Sequence, residues 1–180
     1  MVALQITAQN VAGQDYKRDL YVDVSKLSQE RVKQIMLIRL NELRKQKWLK
    51  PLQYDKRLET MAQSFAEEKW ETMWRLDQNC HFDENWRSPY ARAEGFWLLE
   101  LIDSHKNEKT PNGAAVWLGE NMVGTNGDVE EMLSSLSESP WHARWLWSPY
   151  VTCVGFGYYS GSTVLVQVFA DFKKSKNAKK

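Results

Sequence analysis

Cysteine, histidine and net charge are all scarce in this chain, and each scarcity excludes something. Two cysteines, Cys80 and Cys153, in 180 residues rule out a disulfide-dense scaffold; they permit one bridge without demanding it. A free buried cysteine is equally consistent with the pair, since such a residue behaves as a small hydrophobe. The net charge is only +1, so the body carries no strong field of the kind that gathers nucleic acid. No stretch is long and apolar enough to span a bilayer. Met1–Asn10 has no basic start followed by an apolar run, so no signal peptide is legible and the chain reads as cytosolic or as a mature form.

What is present is the composition of a soluble globular domain, with 43% hydrophobic and 26% charged residues. The length favours one domain with a full core. Nine tryptophans is a high count, and Trp141, Trp145 and Trp147 crowd together. Core packing is the expectation for most of them; beside a polar site they could also wall a groove for a sugar or an apolar ligand. The lysines of Lys173–Lys180 read as a solvated basic tail, with contact to an anionic surface as the minor alternative.

Residues 1–27 read as an N-terminal extension with weak strand character in Tyr21-Val22-Asp23-Val24. Ser28 is a helix N-cap candidate, followed at helical spacing by Val32, Ile35, Met36, Leu40 and Leu43. A second helix starts after Asp55, carries Leu58, Met61, Ala62, Phe65, Ala66 and Met73, and runs to about Leu76. It delivers the chain to Cys80-His81, where the negative end of a helix dipole favours a protonated imidazole. Ser88-Pro89 opens a short helix through Tyr90, Ala93 and Trp97, Lys106–Gly113 is loop, and Asp128 caps a helix that Ser139-Pro140 stops. The end is β: Val151–Tyr159 and Thr163–Phe172 flank Ser160-Gly161-Ser162, a hairpin signal. Gln167 is the one polar residue in Val164–Phe169, so both faces of that strand look covered, as in a sheet between helical layers.

Three phrases carry the polar chemistry: Cys80-His81-Phe82, Gly119-Glu120-Asn121 and Ser139-Pro140-Trp141-His142. They hold two of the three histidines, each at the edge of an apolar segment. With Asn41-Glu42-Leu43-Arg44, Leu49-Lys50-Pro51-Leu52, the Ser88–Phe96 segment and Val154-Gly155-Phe156-Gly157, they resemble, in order, the phrases of the CAP superfamily. That group is named for cysteine-rich secretory proteins, antigen 5 and pathogenesis-related proteins, and the Ser88–Phe96 segment is similar to its bacterial, SCP-like branch. The resemblance covers roughly Val32–Phe172. It implies an α+β fold, a three-layer α-β-α sandwich, with domain bounds of 28–172 between the extension 1–27 and the tail 173–180.

The resemblance also implies one cleft lined by His81, Glu120 and His142, with a divalent metal such as zinc held through the histidines. It departs from many eukaryotic members in having Ser139, next to Glu138, where they carry a second glutamate, and Trp141 where a glycine is usual. It implies further that Cys80 and Cys153 approach the same cleft, hence the expectation of a Cys80–Cys153 disulfide, which would support export. The leading functional reading is a secreted module binding a lipid, a cell-wall component or a protein partner. The alternatives are a metal-dependent hydrolase or peptidase using His81, Glu120 and His142 as catalytic residues, and a structural or adhesive surface domain. No activated nucleophile accompanies the three residues, and they are also consistent with a buried hydrogen-bonded network that ties loops to the sheet.

Overall fold

Ser28 starts the first long helix as its sequence predicts, its hydroxyl accepting the Arg31 N–H at 3.2 Å. The structure is a computed structural model and describes residues 16–69, 81–102, 118–124, 127–159 and 164–172. Helices α1 (Tyr16–Asp19), α2 (Gln29–Gln46), α3 (Lys56–Lys69), α4 (Pro89–Gly95), α5 (Val129–Glu138) and α6 (Pro140–Leu146) surround strands β1 (Gln53–Tyr54), β2 (Leu118–Gly124), β3 (Cys153–Tyr159) and β4 (Val164–Ala170). The sheet order is β1-β3-β4-β2: β1 runs parallel to β3, while β3–β4 and β4–β2 are antiparallel. Among the described strands β2 lies at the edge, which matters for the site.

The alternation of side chains along β3 and β4 sorts the core into two layers. Val154, Phe156, Tyr158, Leu165 and Phe169 pack with α2, α5 and Trp145 of α6. Val164, Val166, Val168 and Ala170 face Leu58, Met61, Phe65 and Ala66 of α3 and Ala93 of α4. The sheet is thus covered on both faces, giving the expected three-layer α+β sandwich. Helix α3 lies directly on β3 because Gly155 has no side chain: a Cβ there would overlap the backbone of Leu58 and Glu59.

Two of the sequence phrases act as clamps. Asn41 grips the backbone of Leu52 from both sides, its amide donating to the carbonyl at 3.0 Å and its oxygen accepting the N–H at 2.7 Å. Arg44 is fully buried and donates to the carbonyls of Lys50, Leu146 and Ser148 at 2.9, 2.6 and 3.1 Å. It ties the end of α2 to the end of α6. Burial lowers its guanidinium to about 10.

Several expectations are corrected. Tyr21–Val24 forms no strand; α1 and a 3-10 turn at Val24–Lys26 stand there, and Leu20 and Val24 are buried with α2 and α5. Ser139-Pro140 does stop α5, but it also starts α6, since a proline fits the first helical turn. Trp97 falls outside α4. Of the six tryptophans described, Trp145 alone is buried; Trp48, Trp86, Trp97 and Trp141 are 96, 69, 81 and 71% exposed. The first three have φ of 57–59°, the left-handed region. Trp48 and Trp97 each sit just past a helix end, where the turn demands that conformation. Met73–Leu76, the 106–113 loop and the 160–162 turn lie outside the described residues.

Candidate functional site

Each phrase places its residues by a distinct local device. In Gly119-Glu120-Asn121, successive residues of β2 point to opposite faces. Gly119 is the seat of the Trp145 ring, which a Cβ would overlap. Asn121 faces the same side and donates to the main-chain carbonyl of His142 at 3.1 Å, fixing the first turn of α6. Glu120 points to the other face and is buried.

Glu120 is engaged through both oxygens. One lies 3.0 Å from His81 Nδ1; the other accepts from the guanidinium of Arg92. A carboxylate on Nδ1 fixes the tautomer that carries a proton there. Arg92 comes from α4 and is itself buried, with its guanidinium 3.6 Å above the Phe65 ring. It also donates to the carbonyls of His81 and Arg87 at 2.8 and 2.9 Å. The turn bearing His81 is further held by Asp83, whose carboxylate accepts the N–H groups of Asn85 and Arg87 and the Arg87 side chain. Burial alone would raise Asp83, but these bonds outweigh it and hold it below the usual range.

His142 approaches from α6, on the other side of the sheet. Its ring centroid is 6.4 Å from that of His81, tilted by 53°. The two rings meet around the edge of the sheet because β2 is its outermost strand. Burial, and then the neighbouring His81, lower the His142 pKa from its ordinary 6.5, so the ring is neutral near pH 7. Each histidine has an aromatic neighbour in the sequence, Phe82 after His81 and Trp141 before His142. Phe82 packs on Trp86 with centroids 6.3 Å apart, and the Arg144 guanidinium sits 4.2 Å over Trp141.

The structure therefore brings His81, Glu120 and His142 together. It adds Arg92 and Asn121, which residue-level reading did not single out. The signal for Arg92 was its place on the buried side of a short helix, one residue before Ala93. Glu138 stays apart: it is exposed and accepts from Ser134 on its own helix.

Among the described residues no group of three or more His, Cys, Asp or Glu is arranged to hold a metal ion. The two imidazoles are the metal-type donors that come together here, with Glu120 behind His81 as an orienting partner.

The expected Cys80–Cys153 disulfide rests on one described residue, and no disulfide is formed among the described residues. Cys153 is a free, buried thiol, raised by burial, and Cys80 lies outside the described residues.

With these features in place, the comparisons with known proteins give the class. The chain belongs to the cysteine-rich secretory protein family, CAP, whose model matches residues 37–169. No curated protein matches the sequence. Among solved structures it is similar to an outer surface protein from Borrelia burgdorferi, with 17% identity and a TM-score of 0.63, covering 82% of this chain and 97% of that one. It is also similar to an extracellular SCP-domain protein from Bacillus anthracis, at 17% identity and TM-score 0.59, and to a cysteine-rich secretory protein from Staphylococcus aureus, at 16% and 0.56. Each alignment covers 81% of this chain but only 44% and 40% of the respective relative. At such identities the likeness defines the fold. No helix among the described residues is long and apolar enough to cross a membrane.

Proposed function

We propose that this CAP domain is a binding module, working outside the cell or at its surface, that takes its ligand at the His81–His142 cleft. One observation carries this reading: Glu120 is spent. Its two oxygens are occupied by His81 and Arg92, so it positions an imidazole and is poorly placed to take a proton from water. A hydrolase would need that carboxylate free, or an activated nucleophile. What the site offers instead is a pair of imidazole rings, one of them kept neutral.

Extracellular and surface proteins among the structural relatives support export. A lipid, a cell-wall component and a protein are the ligand classes expected from the family. A divalent ion such as zinc would be held by ring nitrogens of His81 and His142, and when bound it would supply a Lewis-acid anchor for a ligand oxygen. Glu120 would then hold the His81 ring in register, and Arg92 would keep Glu120 in place.

Calorimetric titration with zinc tests the site, comparing the wild type with His81→Ala and His142→Ala. Binding that disappears in both variants while circular dichroism is unchanged supports the reading. Binding that survives both removes it. Peptide hydrolysis by the metal-loaded wild type, lost in both variants, would replace it with the hydrolase.

A further inference from the structure

Away from the cleft, the end of α2 displays a tryptophan among lysines. Trp48 is 96% exposed and has φ 59°. The backbone around it is a Schellman turn: Trp48 N–H bonds the Lys45 carbonyl and Leu49 N–H the Arg44 carbonyl, both at 3.0 Å. Glycine is the favoured residue at that position, because a side chain in the left-handed region is strained. This chain carries its largest side chain there and leaves it in water. Neither choice helps the monomer fold.

The surroundings indicate what meets it. Lys45, Lys47 and Lys50 flank Trp48 and are exposed. Lys17, also exposed, joins Lys45, Tyr16, Tyr21 and Trp48 in lining an open groove of about 870 Å³. Among the described residues Lys17, Lys45 and Lys50 have no carboxylate within ion-pair distance, and Lys47 lies over the Trp147 ring at 4.9 Å. Three lysines within three positions of Trp48 in the chain and a fourth in its groove, which the paired Arg39 and Glu42 also line, leave this tip positively charged in a chain of net charge +1.

We propose that this tip seats the domain on an anionic lipid surface, with the Trp48 indole at the headgroup level and Lys45, Lys47 and Lys50 against lipid phosphates. Indole and lysine are the pair suited to such an interface: the ring has an apolar body and a polar N–H, and lysine stems lie along apolar surface while the ammonium reaches anions. A peptide or sugar site would hold the ring against neighbouring side chains, whereas this ring projects almost bare. Each lysine near an anionic surface contributes about 1 kcal/mol, about fivefold in partitioning.

The test is co-sedimentation of the full chain with vesicles of phosphatidylcholine alone or mixed with phosphatidylglycerol. Binding is expected only to the mixed vesicles and should weaken as salt rises. The triple variant Lys45→Gln, Lys47→Gln, Lys50→Gln should lower partitioning on the order of 100-fold, and Trp48→Ser roughly tenfold. All four positions are exposed, so both variants should melt with the wild type. The proposal is overturned if the wild type ignores anionic vesicles at low salt, or if both variants bind as it does. It is equally overturned if deletion of residues 173–180 abolishes binding that the Lys45, Lys47 and Lys50 changes leave intact. Binding to a soluble polyanion without binding to vesicles also overturns it.

Discussion

Arg92 and Glu120 form a buried ion pair between α4 and the edge strand β2, and His81 rests on the carboxylate oxygen that Arg92 leaves free. Removing one partner of such a pair strands the other charge in a poorly solvated place. Arg92→Met should therefore cost about 3–5 kcal/mol in chemical denaturation, while Arg92→Met with Glu120→Gln should cost less than the sum of the single changes. Additive costs would mean that the two side chains do not interact as described.

Gly119 predicts a steric effect at the site. In Gly119→Ala the new methyl meets the Trp145 ring, and α6 must move away from β2. We expect a loss of about 1–3 kcal/mol, with altered NMR signals for both histidine rings. A variant as stable as the wild type, with unmoved histidine signals, would contradict the seating of Trp145 on Gly119.

His142 predicts a pH dependence. Its folded pKa lies below 6.5, through burial first and His81 second. Its contribution to stability is complete above the unfolded value, near 6.5, and is lost as pH falls towards the folded value, because the unfolded ring takes up a proton that the folded ring refuses. Comparing denaturation midpoints at pH 7 and at about pH 5 should give a smaller drop for His142→Gln than for the wild type. NMR titration should place the His142 midpoint below 6.5, and higher again in His81→Ala. A midpoint at or above 6.5 in the wild type refutes the burial described for this ring.

Trp97 predicts a gain. It holds the left-handed position after α4, with its N–H on the Glu94 carbonyl and the Leu98 N–H on the Ala93 carbonyl, both 2.9 Å. Its side chain is 81% exposed, so little packing is lost on truncation. Trp97→Gly should stabilise the domain by about 1 kcal/mol, raising Tm by roughly 2–4 °C. Destabilisation would point to an unrecognised contact of the indole.

Helices α2, α3 and α5 were legible because their apolar residues recur at helical spacing and a Ser or Asp precedes each. The β3–β4 hairpin was legible from two apolar runs around a Gly turn. His81, Glu120 and His142 could be singled out as polar residues at the margins of apolar segments. Strand β2 was not legible as a strand: Leu118–Val123 are all buried, because helices cover both faces, and the alternation that marks a half-exposed strand is erased. Arg92 was missed because charge in a sequence predicts solvent, and only three-dimensional packing reveals a carboxylate waiting for it. The tryptophans misled for the converse reason: hydrophobicity predicts a core, whereas the turn after a helix is set by hydrogen bonds and throws its side chain outward.

The edge position of β2 gives the His81–His142 pair a mechanical character. His81 is secured to the helical layer of α3 and α4 through Arg92 and Phe65, and His142 belongs to the layer of α2, α5 and α6. A ligand gripping both rings would add a tie between two layers that the sheet and the buried Lys33–Glu59 ion pair already join. Occupancy would then register as a rise in unfolding temperature, readable by melting alone before any ligand has been named.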